Sequence, residues 1–340
     1  MLYRPDGPAA PIERFGTAPD GTPVHRVRLE GGGTRAAILT WGASLQDFRV
    51  DAHDRPLVLG SPAFEAYPTV MRHFGAIAGR VANRIAGGRA PLGDGTVELE
   101  RNEAGRTTLH AGSTGTGISL WKLEGTDRRS CALRITCPDG ASGFPGTLHA
   151  TAVYRLDDAG ALVLEIEAHA DAPTFCNFAS HAYWSLDGGA DLSGHTLQVA
   201  ASRYLPVDEA KIPLGPPAPV EGRFDFRQPR AVMAPGDGPL DHNFCLDAPG
   251  GAATACSLAA GGLRLDVTTT EPGLQLYDGG ALATAPHPGH GGAPYGAHAG
   301  LAIEPQRWPD APNHPDYPSI LLEPGQRYSQ RTRFHVHPDS

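Results

Sequence analysis

Glycine and proline interrupt this sequence along its whole length, and no other feature limits its fold as strongly. The chain has 43 glycines and 32 prolines among 340 residues, well above the roughly 12% that these two residues contribute on average. They follow no fixed period, which excludes a collagen-like repeat. Because both residues interrupt helices and favour tight turns, their distribution predicts many short strands joined by turns.

Alternation of apolar and polar residues supports this prediction and is clearest in two neighbouring segments. Apolar residues recur at every second position along residues 148–154 and again along residues 162–168. The sequence Asp-Asp-Ala-Gly at residues 157–160 lies between them, so the pair is predicted to form an antiparallel hairpin. Further strands are expected at residues 36–50, 97–101, 197–201 and 263–269, and one short helical turn at residues 62–67.

Numerous short strands with almost no helical periodicity predict an all-β fold of two or more large, packed antiparallel sheets. The Pro-rich residues 213–219 are flanked on both sides by strand-like sequence of unchanged composition. We therefore interpret them as a long loop rather than a domain boundary. A single domain is expected over residues 1–340, with its core at about residues 12–337.

The charge and the cysteine content of the chain restrict which partners it is expected to bind and in which compartment it is expected to lie. The formal net charge of −9 argues against nucleic acid and anionic membrane surfaces as partners. The five cysteines are odd in number and lack Cys-x-x-Cys spacing, which is typical of reduced thiols. With no basic and apolar leader and no apolar stretch long enough to span a bilayer, we expect a cytoplasmic protein.

The segment 303–328 is the most informative for function; it reads I-E-P-Q-R-W-P-D-A-P-N-H-P-D-Y-P-S-I-L-L-E-P-G-Q-R-Y. Glu304 ends a short apolar run, and the residues after it are too rich in proline and asparagine for a helix or a central strand. A carboxylate at the mouth of a rigid, proline-braced loop is a candidate general base. The alternative is a glutamate that caps a surface turn.

Two further segments carry donors suited to a small polyol. Residues 74–89 place Arg80, Asn83 and Arg84 between glycines. A guanidinium and an amide with little bulk around them can donate several hydrogen bonds to one ligand, although solvated surface charges are the alternative. His110 lies in the sequence Leu-His-Ala-Gly, and a lone histidine is more often structural than catalytic.

A fourth segment, residues 177–184, combines a histidine with aromatic residues. Alternation would place His181 and Tyr183 on one face, and Ala182 and Trp184 on the other. The functional interpretation is a histidine that faces a ligand beside a tyrosine. The structural alternative is a strand whose aromatic side chains fill the core and whose histidine is satisfied internally.

A fifth segment, residues 240–244, contains the pair Asp241-His242, which a simple turn would also explain. The carboxylates Asp241 and Glu304 together would suit a glycosidase. The presence of His181 beside a single glutamate base argues against that reaction.

Metal binding is a further alternative. His287, His290 and His298 fall in a loop rich in glycine and proline, and His335 and His337 share a strand face. Zinc sites usually need closer ligand spacing with cysteine or acidic support. We therefore expect no metal and no other cofactor.

Taken together and in this order, the segments resemble the aldose 1-epimerase (galactose mutarotase) family. The resemblance implies the galactose-mutarotase-like β-supersandwich, in agreement with the strand-rich pattern. The matching motifs are W-G-A at 41–43, L-V-L-G at 57–60, G-R-V-A-N-R-I at 79–85, L-H at 109–110, S-H-A-Y-W at 180–184, Y-L-P-V-D-E at 204–209, P-V-E-G at 219–222, F-D at 224–225, D-H-N-F at 241–244, P-G-L-Q-L-Y at 272–277 and the segment 303–328.

The resemblance also implies an activity: mutarotation, the interconversion of the α and β anomers of a free aldose without a cofactor. Glu304 would be the general base and His181 the general acid of this reaction. The residues that bind sugar hydroxyls or line the pocket would be Asn83, Arg84, His110, Tyr183, Asp241 and Gln275.

The chain departs from the family pattern at Ala111, Thr116, Ser180, Ala182 and Trp184. None of these changes removes a catalytic group, but they bear on the pocket wall and leave the identity of the sugar open. The oligomeric state, monomer or homodimer, is open as well.

Two other functions stay open on the same fold. One is a mutarotase for an anionic sugar, whose charge would need cations such as Arg72, Arg80 and Arg307. The other is a sugar-binding module that has lost catalysis, since a fold does not fix a function.

Overall fold

The computed structural model describes residue 3, residues 5–51, residue 53 and residues 55–339. Within these residues the regular structure consists of β-strands and single 3-10 turns, with no α-helix. No helix in the described part of the chain is long and apolar enough to cross a membrane. The predicted all-β fold class is therefore confirmed.

The strands are short, as the spacing of glycine and proline predicts. In chain order they are β1 (Ile12–Thr17), β2 (Pro23–Gly31), β3 (Thr34–Leu39), β4 (Leu45–Val50), β5 (Ile77–Ala78), β6 (Arg84–Ile85), β7 (Arg89–Leu92), β8 (Gly95–Glu98), β9 (Thr108–Leu109), β10 (Lys122–Asp127), β11 (Ser130–Cys137), β12 (Leu148–Leu156), β13 (Leu162–Ala170), β14 (Thr174–Phe175), β15 (Ala179–Ser180), β16 (Tyr183–Trp184), β17 (Thr196–Val199), β18 (Arg203–Tyr204), β19 (Ala218–Pro219), β20 (Arg230–Ala231), β21 (Asp241–Cys245), β22 (Thr254–Ala260), β23 (Leu263–Thr269), β24 (Gly273–Tyr277), β25 (Leu301–Gln306), β26 (Leu321–Leu322) and β27 (Tyr328–Pro338). The 3-10 turns are Phe64–Ala66, Ala86–Gly88, Gly112–Thr114, Thr116–Ile118, Ala141–Gly143, Leu192–Gly194, Gly222–Phe224 and Ala311–Asn313.

Three antiparallel sheets organise the molecule. The largest has nine strands in the order β10-β11-β12-β13-β27-β23-β22-β17-β20. A second has six strands in the order β16-β25-β24-β21-β18-β19, and a third is the four-stranded meander β1-β2-β3-β4. The hairpin predicted from alternation is β12 and β13, in which buried positions recur at every second residue.

The main core lies where these three sheets meet. Trp184 of the six-stranded sheet stacks on Phe334 of the nine-stranded sheet, with ring centroids 5.3 Å apart. On its other side it packs edge-to-face against Phe48 of the meander at 5.5 Å. All three side chains are fully buried, and aromatic burial of this size dominates the energetics of a core.

Some predicted strands need correction. Residues 36–50 are not one strand: β3 and β4 are separated by a turn at Gly42 and Ala43, whose φ angles are +64° and +48°. The apolar pattern runs through the turn because both its flanks are buried, so alternation alone does not reveal the break. A Cβ at Gly42 would lie 2.5 Å from the carbonyl oxygen of Gly117, so glycine is required at that position.

All but one of the remaining expectations match to within a few residues. The strand expected at 263–269 is β23, and the one at 197–201 is β17, displaced by one residue at its start and two at its end. The strand expected at 97–101 is wrong over most of its length, because β8 ends at Glu98 where the chain leaves its two-stranded pairing with β7. The helical turn expected at 62–67 is the single 3-10 turn Phe64–Ala66.

Candidate active site

A cleft of about 900 Å³ opens over one face of the six-stranded sheet. The structure brings all eight residues that the sequence singled out as catalytic or binding groups to its wall. These residues are Asn83, Arg84, His110, His181, Tyr183, Asp241, Gln275 and Glu304. They come from segments that are far apart along the chain, and the sheet and its loops bring them together.

The floor of the cleft is set by strand register. Glu304 on β25 lies directly opposite Gln275 on β24, and directly opposed residues of an antiparallel pair project from the same face. Asp241, at the start of the neighbouring β21, is diagonal to Gln275. Its Oδ1 accepts a hydrogen bond of 2.6 Å from the amide of Gln275. One carboxylate thereby orients the amide beside the other.

Glu304 is not at the mouth of a loop, as its sequence context predicts, but inside a central strand. β25 continues through Pro305 to Gln306, and Glu304 is only 2% exposed. The prediction assumed that Pro305 could not belong to a central strand, which is wrong here. β16 pairs with β25 only at Leu301 and Ala302. Pro305 lies beyond that pairing, so the missing N–H costs no ladder hydrogen bond on that side.

His181 faces Glu304 across the floor. Its Nε2 is 3.7 Å from Oε1 of Glu304, and both side chains are buried. His181 and Tyr183 line the cleft, whereas Ala182 and Trp184 pack into the main core. The alternation of residues 181–184 therefore predicts their two faces correctly.

Burial acts against the charged form of both groups. It raises the pKa of Glu304 well above the ordinary value; the negative charge of Asp241 adds to this increase, and the positive charge of Arg84 opposes it. Burial also lowers the pKa of His181 to about 4, while the histidine's own main-chain carbonyl acts in the opposite direction. A carboxyl and an imidazole with these shifts hold one transferable proton between them over a wide range of pH.

Arg84 is fixed by a fork of two hydrogen bonds. Its Nε and Nη2 each donate to Glu103 at 2.8 Å, and the hydroxyl of Thr107 donates to the same carboxylate at 2.7 Å. The remaining Nη1 lies 3.9 Å from Oδ2 of Asp241. Burial raises the pKa of Asp241, and the charges of Arg84 and Lys211 oppose that increase. The guanidinium is thus held in place with one nitrogen directed at the floor.

Asn83 and His110 hold each other in an unusual backbone conformation. Both have positive φ angles, +63° and +50°, which are strained for residues other than glycine and are often found at functional sites. The N–H of Asn83 donates to Nδ1 of His110 at 3.1 Å, and the N–H of His110 donates to the carbonyl of Asn83 at 3.0 Å. Because Nδ1 accepts a hydrogen bond, neutral His110 carries its proton on Nε2.

The structure adds His73 to the site, which the sequence interpretation missed. His73 lines the cleft, and its ring centroid lies 4.7 Å from that of His110 and 6.0 Å from that of His181. Burial lowers the pKa of His73 to about 3, so the ring is neutral. Its position just before Phe74, where the motif-bearing segment begins, was the one available sequence signal.

Two arginines that the sequence suggested as ligand-binding groups lie outside the cleft. Arg80 is buried away from the cleft, where it donates to the carbonyls of Pro145 and Gly146 and to the hydroxyl of Thr174. Its predicted role in holding a ligand is wrong for this cleft, because Arg80 does not line it and both terminal nitrogens of its guanidinium already donate to protein acceptors. Arg307 donates to the carbonyl of Ser319 and lines a separate pocket.

The rim of the cleft is formed by loops. Arg72 lies there as expected, and Lys211, Arg106 and His298 join it. The ring nitrogen Nδ1 of His298, in the loop discounted as a metal site, is 3.1 Å from the carbonyl oxygen of Asp278.

The five departures from the family pattern lie outside the cleft wall, as far as the described residues define it. Thr116 is fully buried and donates to the carbonyl of Ile77 at 2.7 Å. Ala182 and Trp184 belong to the main core, and Ala111 and Ser180 are buried. These five residues therefore do not change the pocket by contacting a ligand directly.

Comparison with known proteins gives consistent matches over almost the whole chain. The family model described as aldose 1-epimerase matches residues 25–335. A galactose mutarotase of Mus musculus is 37% identical, over 94% of this chain and 96% of the mouse protein. An aldose 1-epimerase of Escherichia coli K12 is 36% identical, over 93% of this chain and 96% of its own length.

Solved structures show the same fold. An aldose epimerase homologue from C. elegans superposes with a TM-score of 0.87 at 26% identity, covering 93% of this chain and 99% of its own. A galactose 1-epimerase from Lactobacillus acidophilus gives 0.85 at 27% identity, covering 97% and 99%.

Proposed function

This chain belongs to the aldose 1-epimerase family, and we propose that Glu304 is the general base and His181 the general acid of its mutarotase reaction. The protein is an isomerase that interconverts the α and β anomers of an aldose. The observation that carries the residue assignment is the facing pair itself. His181 Nε2 and Glu304 Oε1 are 3.7 Å apart on the buried floor of the cleft of about 900 Å³.

The two groups complete the reaction without a metal or a nucleotide. Glu304 removes the proton of the anomeric hydroxyl while His181 gives a proton to the ring oxygen, so the C1–O5 bond breaks and the open-chain aldehyde forms. Rotation about C1–C2 presents the other face of the carbonyl group. On reclosure His181 recovers the proton from the C5 hydroxyl, and Glu304 returns its proton to O1.

A bound sugar favours the protonation state that the reaction requires, with Glu304 ionised as the base and His181 protonated as the acid. In the buried pair the proton is favoured on Glu304, because burial raises the pKa of the carboxyl and lowers that of His181. Sugar hydroxyls that donate to the carboxylate lower its pKa. The ring oxygen likewise offers an acceptor to a protonated His181. We propose that sugar binding in this way moves the proton to His181, with Arg84 stabilising the carboxylate.

The other polar groups of the cleft bind hydroxyls in this proposal. Asp241 and Gln275 lie on one side of Glu304, and Asn83, Arg84 and His110 surround them. Tyr183 covers the pocket beside His181, with ring centroids 5.1 Å apart. A wall of hydrogen-bonding groups with a few aromatic rings suits a small polyol.

The charges of the cleft favour a neutral aldose over an anionic sugar. The described wall carries four cations and five carboxylates, without the excess of positive charge that a phosphate or carboxylate would require. Within the described residues the cations are Arg72, Arg84, Arg106 and Lys211, and the carboxylates are Glu103, Glu209, Asp241, Asp278 and Glu304.

We also propose that residues 12–337 act as one catalytic domain in the cytoplasm. Strands between Lys122 and Pro338 share the nine-stranded sheet, so a cut within that range would divide it. All five cysteines are buried free thiols, which is compatible with a reducing compartment.

Polarimetry tests the activity directly. Freshly dissolved α-anomers of glucose, galactose, xylose and arabinose are followed as their optical rotation approaches equilibrium. The first-order rate constant should rise linearly with enzyme concentration for at least one of these sugars. A correctly folded protein that accelerates none of them would contradict a neutral monosaccharide substrate.

Replacing Asp241 by alanine tests hydroxyl binding. A hydrogen bond that involves a charged group contributes about 1.5–3 kcal/mol. Its loss should lower kcat/KM by one to two orders of magnitude, at about 1.4 kcal/mol per tenfold. The loss should differ among glucose, galactose, xylose and arabinose, because only hydroxyls of the right configuration reach the carboxylate.

Asp241→Asn is the matched control, since its amide oxygen still accepts from Gln275 while the charge is gone. Its losses should be smaller than those of Asp241→Ala. Equal losses across the four sugars would instead assign Asp241 a structural role, and unchanged values would place it outside the binding site.

A further inference from the structure

His73 forms a wall of imidazole rings together with His110 and His181, and the proposed chemistry gives it no role. Its side chain is partly buried and lines the cleft. Nδ1 of His73 has no hydrogen-bond partner in the described part of the chain. A Cβ added at Gly117 would lie 3.2 Å from this atom, so Nδ1 is turned toward the protein rather than the ligand.

Nε2 is therefore the nitrogen that His73 can offer to a ligand. A buried N–H without an acceptor is more costly than a bare ring nitrogen. The neutral ring accordingly keeps its proton on Nε2, in the same tautomer as His110, whose Nδ1 accepts from Asn83. Two neighbouring imidazoles thus present N–H donors at one end of the cleft.

The order of groups along the floor indicates which part of the sugar meets this end. Asp241 and Gln275 lie on one side of Glu304, and His181 lies on the other. The ring of His73 lies 6.0 Å from that of His181 and 4.7 Å from that of His110. In a pyranose, the ring oxygen sits between C1 and C5. With O1 at Glu304 and the ring oxygen at His181, the sugar continues past His181 to C5 and its substituent.

We propose that Nε2 of His73 hydrogen-bonds the hydroxymethyl group on C5 of a hexopyranose and so gives the enzyme a preference for hexoses over pentoses. The proposal rests on the assignment of Glu304 and His181 to O1 and the ring oxygen. It adds a specificity-determining residue next to the acid His181. A pentopyranose has no carbon at this position and leaves the donor without a partner.

Two matched sugar pairs isolate this contact. D-Glucose and D-xylose differ only in the hydroxymethyl group, as do D-galactose and L-arabinose. In His73→Phe, kcat/KM for both hexoses should fall about tenfold, the upper range for a neutral hydrogen bond, mainly through KM. The values for both pentoses should change less than about twofold. D-Fucose, which keeps the C6 methyl group and lacks the hydroxyl, should behave like a pentose.

His73→Gln is the conservative variant, since its terminal amide reaches the position of Nε2 and can donate there. It should restore most of the hexose preference. Equal losses for hexoses and pentoses in both variants would overturn the proposal and make His73 a packing residue, and unchanged hexose kinetics in His73→Phe would overturn it as well. Failure of the catalytic assignment is a separate result, because it would appear as normal turnover by Glu304→Gln, whatever His73 does.

Discussion

Replacing Glu304 by glutamine is expected to lower kcat for mutarotation at least about a hundredfold, the low end for a positioned acid or base. This loss corresponds to about 2.7 kcal/mol of transition-state stabilisation. The amide matches the carboxyl in shape but cannot exchange a proton with the anomeric hydroxyl. Because the burial of Glu304 already favours its neutral form, the neutral amide should leave the free energy of unfolding nearly unchanged.

Glu271→Gln is the matched control for this change. Glu271 is also 2% exposed, and burial raises its pKa to about 7, but it lies outside the cleft. Initial rates by polarimetry for the two variants, with thermal unfolding as a check of folding, separate loss of the base from loss of a buried charge. A folded Glu304→Gln protein with near-normal turnover, or an equal loss in Glu271→Gln, would refute the assignment of Glu304.

Replacing His181 by alanine is expected to have an effect of similar size, at least about a hundredfold in kcat. The ring oxygen then has no protein group to protonate it, although O1 still meets Glu304. His195→Ala is the comparison, since its ring is fully buried elsewhere and accepts the N–H of Leu186 at 2.9 Å. That variant should lose stability and keep its kcat. Wild-type turnover by a folded His181→Ala protein would exclude His181 as the acid.

The pH profile of the wild type tests the same pair. Activity requires one transferable proton between Glu304 and His181. The pair gains a second proton, and kcat/KM falls, as pH drops toward about 4, the pKa of His181. The pair loses its last proton only at the raised pKa of Glu304. The acid limb of the profile should therefore lie near pH 4 and not near 6.5, the ordinary pKa of histidine.

The groups around Glu304 and His181 determine which residue each limb of the pH profile can be assigned to. The groups that face it are Arg84, Asp241, Tyr183, His73 and His110. Burial keeps both of these histidines neutral in this range. Burial also raises the pKa of Asp241, so the acid limb belongs to His181 only if it moves in His181→Ala. A decline centred near pH 6.5 would show that burial does not control the pair.

The parts of the fold that the sequence predicts well are those whose signal is local. The hairpin β12–β13 was predictable because buried and less buried positions alternate along all of β12 and along β13 from Leu164 onward, on either side of a strong turn. The two faces of residues 181–184 follow from the same period. The eight site residues rest on a resemblance to a family, and the structure places them around one cleft.

The parts that the sequence does not predict depend on neighbours distant along the chain. Pro305 reads as a strand breaker, yet it is tolerated in β25 because the pairing with β16 has already ended. Arg80 and Arg84 look equivalent in sequence. In the structure Arg80 donates to a main-chain carbonyl away from the cleft, whereas Arg84 directs one nitrogen at the cleft floor. His73 has no motif of its own, and only its distance to two other imidazoles makes it a candidate.

The position of β27 has a consequence for how the chain is made in the cell. β27 is the last strand along the sequence, yet it lies between β13 and β23 at the middle of the nine-stranded sheet. Until the ribosome releases it, two half-sheets of four strands each carry an unpaired edge. Such edges are templates for aggregation while synthesis continues. The nascent chain is therefore most in need of chaperones until β27 has been made and has paired with both half-sheets, however stable the finished enzyme becomes.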